Sequence, residues 1–239
     1  MPQDEFDQFK KQMQVMIESM RDKPDALAQN AITQHFNTYP KGDPRYEYSL
    51  DESLEQLNKL TVDQVRAFYK EFGGTSRGEI SIVGDFDPKT VEKIIRDDYA
   101  KYVSKAHYAP VVTEYRPVKA TRVVIDTPDK ENAIIVARSV FPINDTAPDA
   151  PALTVANWIL GGGTGLSNRL IERLRQKEGL SYGAGSHVRI PAKGDNGSFV
   201  FRAIVAPQNM LQAEASARDV IAKAIKDGFT DQEVEEAKK

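Results

Sequence analysis

Two side chains are spaced so that they could do chemistry on a carbonyl group. Arg175 falls in the last turn of a helical pattern carried by Leu166, Leu170, Ile171 and Leu174, Gly179 ends that pattern, and Tyr182 opens the next strand. A guanidinium on the last turn and a phenol just past it can point into one space, where both donate to a peptide carbonyl or a developing oxyanion. On spacing alone a plainer reading stays open. An Arg near a helix C-terminus is favoured by the helix dipole, and a Tyr at a strand start is commonly core. Other chemistry is scarce. The chain has no cysteine, which removes a disulfide framework, a thiol nucleophile and a thiolate metal site. Its three histidines, His35, His107 and His187, lie far apart, and none supplies the i,i+4 pair that a helical zinc motif needs.

The stretch from Leu160 to Leu170 holds a second candidate, the glycine-rich run Gly161–Gly165. A dinucleotide turn requires a preceding strand and a G-x-G-x-x-G pattern, but the sixth position counted from Gly161 is Leu166, and Leu153, Ala156, Trp158 and Ile159 before it are spaced helically. A phosphate loop would need Gly-Lys-Ser/Thr, which is absent. The run therefore reads as a link between two closely packed helices rather than a nucleotide cradle.

The elements around these residues change character along the chain. Phe6, Phe9, Met13, Met16 and Met20 form an apolar stripe from Asp4 onward, Pro24 interrupts the helical stretch, and Tyr39–Tyr46 is a loop. Helices follow around Asp51–Leu57 and Thr61–Glu71, the second burying Val62, Val65, Phe68 and Tyr69. A strand is predicted at 79–84 and a helix at Pro88–Tyr102 that turns Val91, Ile94 and Ile95 inward. Residues 104–118 lack a period and read as a linker. Beyond them strands dominate, at Arg122–Asp126, Ala133–Phe141, Leu180–Ile190 and Ser198–Ala206, with helices at Pro151–Leu160, Ser167–Gln176 and Gln208–Lys226. The expected class is α+β, an antiparallel sheet with helices packed on one face. The division is 1–103, then the linker 104–118, then 119–239.

Composition bounds the function. The 239 residues are 40% hydrophobic and 28% charged, enough for one ordinary core or two small ones. Thirty-two Lys+Arg against 35 Asp+Glu give a net charge of -3, without the basic excess that nucleic-acid binding calls for. No apolar run approaches the roughly 18 residues of a membrane-spanning helix. The two ends resemble each other: DEFDQFKK from Asp4 aligns without a gap with QEVEEAKK from Gln232. This suggests one period of a duplicated domain, opened and closed in mid-domain so that both domains are truncated. It predicts that Phe6–Met20 and its neighbours pack on the strand-rich half.

The run LGGGTGLSNRL, then LRQKEGLSYGAGSHV, resembles the second-domain signature of the pitrilysin/insulinase family of zinc metallopeptidases. Pro24–Ala28, the Tyr39–Tyr46 loop, Leu60–Asp63 with Phe68-Tyr69, and Ile82–Asp87 resemble the closing half of the preceding domain in that family. Asn168, inserted between Ser167 and Arg169, departs from the family pattern. The resemblance implies repeated α+β domains closing around an extended or unfolded peptide. It implies a zinc ion held on an inverted His-x-x-Glu-His helix that this sequence lacks, so the metal would sit in the parent protein or a partner subunit. Glu18, on the helix matching the one that supplies the third zinc ligand, then reads as a solvated helix residue. Arg175 and Tyr182 match the family's Arg/Tyr pair, which holds the substrate backbone and stabilises the tetrahedral intermediate. The implied partners are a peptide substrate and the zinc-bearing domain; the sequence does not fix the compartment, and the frequent export of bacterial relatives favours the periplasm. The alternative is a non-catalytic scaffold or assembly subunit of the same fold.

Overall fold

The computed structural model describes residues 1–163 and 168–238. Thr164, Gly165, Leu166 and Ser167, which include the end of the glycine run and the expected helix start at Ser167, lie outside the described residues, as does Lys239. The chain folds as two compact units, Met1–Glu18 with Asp51–Pro110, and Ser19–Leu50 with Val111–Lys239.

The first unit is helical. Most of α1 (Gln3–Met20) belongs to it, with nearly all of α3 (Leu50–Lys59), α4 (Val62–Phe72) and α5 (Pro88–Asp98). Local chemistry explains where these helices start. Thr61 and Gln64 form a capping box at α4, and the Asp87 carboxylate accepts the Thr90 N–H at 3.1 Å at α5. Lys10 of α1 donates to the carbonyls of Asn58 and Leu60 at 2.8 and 2.9 Å, a cation on the end of α3. Burial is thinner than the periodicity predicts. Phe6 and Ile17 are buried on α1, but Phe9 and Met16 of the expected stripe are exposed; on α4 only Val62 is buried, and Phe68 and Tyr69 face solvent. Ile94 of α5 is exposed as well. The strand expected at 79–84 does not form, and Ile80, Ile82 and Val83 lie exposed. A strand is stabilised by its ladder to a neighbour, and no described residue pairs with this segment.

The second unit carries the sheet. β1 (Ala133–Pro142), β2 (Ser181–Arg189) and β3 (Asn196–Val205) are antiparallel in the order β1-β3-β2. The expected strand at Arg122–Asp126 is absent, with Val123, Val124 and Ile125 exposed for the same lack of a partner. One face of the sheet, presenting Phe201, Ala203, Val205 and Ala184, packs on Leu160, Leu170, Leu174 and the small residues Ala213, Ala217 and Ala224 of α8 (Met210–Asp227). Small side chains let α8 approach closely, and Leu170 and Leu174 are fully buried. This is the α+β arrangement expected from the sequence. Gly228 ends α8, and a capping box of Thr230 and Glu233 starts α9 (Asp231–Ala237), both as the sequence predicts.

On the opposite face α2 (Pro24–His35) packs along β1, and its Asp25 pairs with Arg202 of β3 at 2.8 Å. The neighbours of Phe6–Met20 that belong to the strand-rich unit start at Ser19 and include α2. The loop after α2 is anchored by Tyr39, buried between the guanidiniums of Arg45 and Arg116 at 4.0 and 4.2 Å. The Tyr39 hydroxyl accepts the Glu114 N–H, and Asp195 of the β2–β3 hairpin accepts the Tyr115 N–H at 2.7 Å. Residues 111–118 thus lie against the sheet's hairpin, and the break between the units falls after Pro110.

Candidate functional site

The helix before β2 begins at Asn168, whose side chain accepts the Ile171 N–H at 2.9 Å. The inserted residue in the sequence pattern is therefore the N-cap. From it runs α7 (Arg169–Ile171), continuing as a π-helical segment at Glu172–Lys177. A π turn widens the helix and re-aims the side chains that follow.

Three arginines leave this helix with different fates. Arg169 makes two parallel bonds to Glu233, both 2.7 Å, with its guanidinium 4.5 Å from the Phe229 ring. That pair holds the Glu233 carboxyl down at about 2. Arg173 pairs with Glu178 and with Asp219 of α8 at 3.3 Å. Arg175 is exposed, and among the described residues its side chain has neither an ion pair nor a hydrogen bond.

The turn from Arg175 to Tyr182 is fixed by backbone bonds. The Gly179 N–H reaches the Arg175 carbonyl at 3.2 Å and the Leu180 N–H reaches that of Leu174 at 2.8 Å, with Gly179 at φ +62°, where a side chain would be strained. Buried Leu174, Leu180 and Ser181 pin both sides. Tyr182 then sits in a one-residue bulge: Ser181 pairs with Val205 and Gly183 with Ile204, leaving Tyr182 unpaired and 66% exposed. The Ser181 hydroxyl closes the bulge, 2.7 Å from the Gly183 carbonyl and 2.9 Å from that of Ile204 as donor, and accepts the Gly183 N–H at 3.1 Å. Arg175 and Tyr182 thus stand at the two ends of one rigid turn, and Tyr182 is not core. The sequence reading missed Ser181, whose only signal is a small hydroxyl residue before Tyr182 and a glycine after it.

Of the glycine run, the described Gly161 and Gly162 sit where a side chain has no room. A Cβ on Gly161 would lie 2.6 Å from the Ser186 hydroxyl, 2.7 Å from the Ser186 nitrogen and 2.6 Å from Leu170 Cδ1; one on Gly162 would meet Asn157 at 2.4 Å. The end of α6 (Ala150–Asn157), with its π-helical extension Trp158–Gly162, is thereby pressed against β2, and the Ser186 hydroxyl donates to Asn157 at 2.8 Å. The described residues do not fit a zinc centre. His35 ends α2 and binds the Lys119 carbonyl, His107 lies outside any element, and His187 is on β2. No group of three His, Cys, Asp or Glu able to hold a metal occurs among the described residues.

The family model described as the peptidase M16 inactive domain matches residues 59–239. The chain belongs to the peptidase M16 family. A zinc protease of Mycobacterium tuberculosis is 24% identical over 214 residues, 89% of this chain and 47% of that protein. A non-peptidase homologue from Helicobacter pylori is 23% identical over 77% of this chain and 41% of its own length. The crystal structure of a peptidase M16 inactive domain from Pseudomonas fluorescens superimposes with a TM-score of 0.85 at 25% identity, over 99% of this chain and 55% of that one. This M16 chain spans about half the length of the curated relatives it matches. The inactive-domain description agrees with the lack of an inverted His-x-x-Glu-His motif. Among the described residues no helix is long and apolar enough to cross a membrane.

Proposed function

We propose that this M16 chain is the substrate-holding, non-zinc portion of a zinc endopeptidase that cleaves peptides or unfolded proteins. Arg175 and Tyr182 donate hydrogen bonds to the substrate carbonyl. The observation that supports this is the contrast within one helix. Arg169 and Arg173 are engaged with carboxylates, whereas Arg175 is exposed and, among the described residues, without an ion pair or hydrogen bond, at the end of a turn whose other end is the bulged Tyr182. Two preorganised donors at the rim of a substrate site require no rearrangement as charge develops on a carbonyl oxygen. Zinc, named in the description of the mycobacterial relative, belongs in this reading to another domain of the parent or to a partner subunit.

The test is peptide cleavage by the full-length parent carrying Arg175→Ala, Tyr182→Phe or both. Each single variant lowers kcat/KM by roughly ten- to a thousandfold, and Arg175→Lys retains part of the loss. Unchanged cleavage by the double variant rules the assignment out. The isolated chain is expected to cleave nothing. A second reading, a scaffold or assembly subunit, is favoured by the likeness to a non-peptidase homologue. It gains if the parent, with any partner subunit, binds no zinc and has no peptidase activity.

A further inference from the structure

The sheet face opposite the core carries a concentration of positive charge that the Arg175/Tyr182 site does not use. The register aligns Arg138 of β1, Val200 of β3 and His187 of β2 in one cross-strand row. Directly opposed residues share a face, as do residues two apart on a strand. Arg189 therefore lies beside His187 on this face, next to Ser198, and Arg202 one step the other way, next to Gly185. Asp25 neutralises Arg202. Among the described residues no carboxylate forms an ion pair with Arg138, His187 or Arg189. Arg189 and His187 are exposed and have no hydrogen bond or ion pair among the described residues.

Arg138 is the most unusual member. Its side chain is partly buried over the Phe36 ring at 4.9 Å, and its Nε is buried without a hydrogen-bond partner. Loss of solvation, and then the charge of Arg189, depress its affinity for its proton, with only Glu47 acting the other way. An under-solvated guanidinium beside a second arginine is costly in isolation, and an anion relieves both the desolvation and the repulsion.

We propose that Arg138, His187 and Arg189 form a subsite for the carboxylate side chain of a bound peptide, so that this chain prefers acidic peptides. The peptide, rather than a free anion, is the chosen occupant because His187 and Arg189 lie on the same strand as Tyr182, and β2 is an edge of the sheet. A chain held at Tyr182 runs past them. The inference rests on the peptide-holding reading above.

The experiment is fluorescence anisotropy of the 239-residue chain with three labelled, otherwise identical peptides bearing Glu, Gln or Lys at their central positions. The Glu peptide is expected to bind about tenfold tighter than the Gln peptide and tighter still than the Lys peptide. Arg189→Gln, an exposed change with little effect on folding, brings the Glu-to-Gln ratio close to one. Circular dichroism melts verify that the variant is folded. Equal binding of Glu and Gln peptides, weakened by Tyr182→Ala, overturns the anionic subsite but leaves the peptide-holding reading standing. Binding of none of the three overturns both. If free glutarate binds as tightly as the Glu peptide, the site is a small-anion site and the peptide assignment is wrong.

Discussion

Arg169 and Glu233 make a bidentate pair that is only about a quarter exposed on each side, and this geometry sets a pH dependence. Glu233 is held at about 2, against 4.5 for an ordinary glutamate, first by the hydrogen bond from Arg169. A carboxyl whose folded pKa lies below its unfolded one stabilises the fold above the unfolded value, and that contribution is lost as pH falls from about 4.5 toward 2. Glu233→Gln keeps a residue able to complete the capping box with Thr230 but removes the charge. The expected result is a loss of about 1 kcal/mol at neutral pH, the upper end for a partly covered pair. The gap between variant and wild-type melts should close as pH drops through that window; a gap constant from pH 6 to 2.5 would contradict the assignment. The three arginines were visible in the sequence, but their division of labour was not. Glu233 is 64 residues from Arg169 and Asp219 is 46 from Arg173, so only the fold shows which guanidiniums are occupied.

Helices with capping chemistry and strands with partners follow the sequence pattern closely. Thr61, Gly228 and Thr230 mark real helix ends, and β1, β2 and β3 lie within two residues of their predicted limits because each has a neighbour to pair with. The segments 79–84 and Arg122–Asp126 have the composition of strands without a ladder, which no local pattern can reveal. Within the glycine run, Gly161 lies against Ser186 of β2 as well as against Leu170 of the following helix. Gly161 gives a direct test, since a methyl there meets the backbone nitrogen and hydroxyl of Ser186 and cannot be relieved by a rotamer change. Gly161→Ala should cost about 1–3 kcal/mol, the usual range for overpacking. At Gly183 a Cβ meets nothing within 4 Å, so Gly183→Ala should stay within about 0.5 kcal/mol of wild type. Urea unfolding midpoints measure both. Equal effects at the two positions would mean that Gly161 is not a close-approach site.

The two compact units differ in how much apolar surface they cover. Among the described residues the first unit buries only Phe6, Ile17 and Val62 as large hydrophobics, and leaves Phe9, Phe68, Tyr69, Phe72, Ile80, Ile82, Val83 and Ile94 exposed. The second has a contiguous core running from Leu160 through the sheet to Ala224, with Leu170, Leu174, Ala203, Val205 and Ala213 wholly buried. Apolar burial is the main favourable term in folding, so the units should not open with the same free energy. Hydrogen exchange should show α3, α4 and α5 losing protection by local opening, while β3 and α8 exchange only through events close to global unfolding. Limited proteolysis should cut first between Gly73 and Pro110 and leave a resistant product containing residues 111–238. Truncating Leu174 to Ala, at a cost of about 2–5 kcal/mol for a filled core position, should speed exchange in β3 and α8 far more than in α4. Uniform protection across both units, or a Leu174→Ala effect spread evenly over them, would show that they unfold as one cooperative body and that the exposed apolar residues of the first unit do not weaken it.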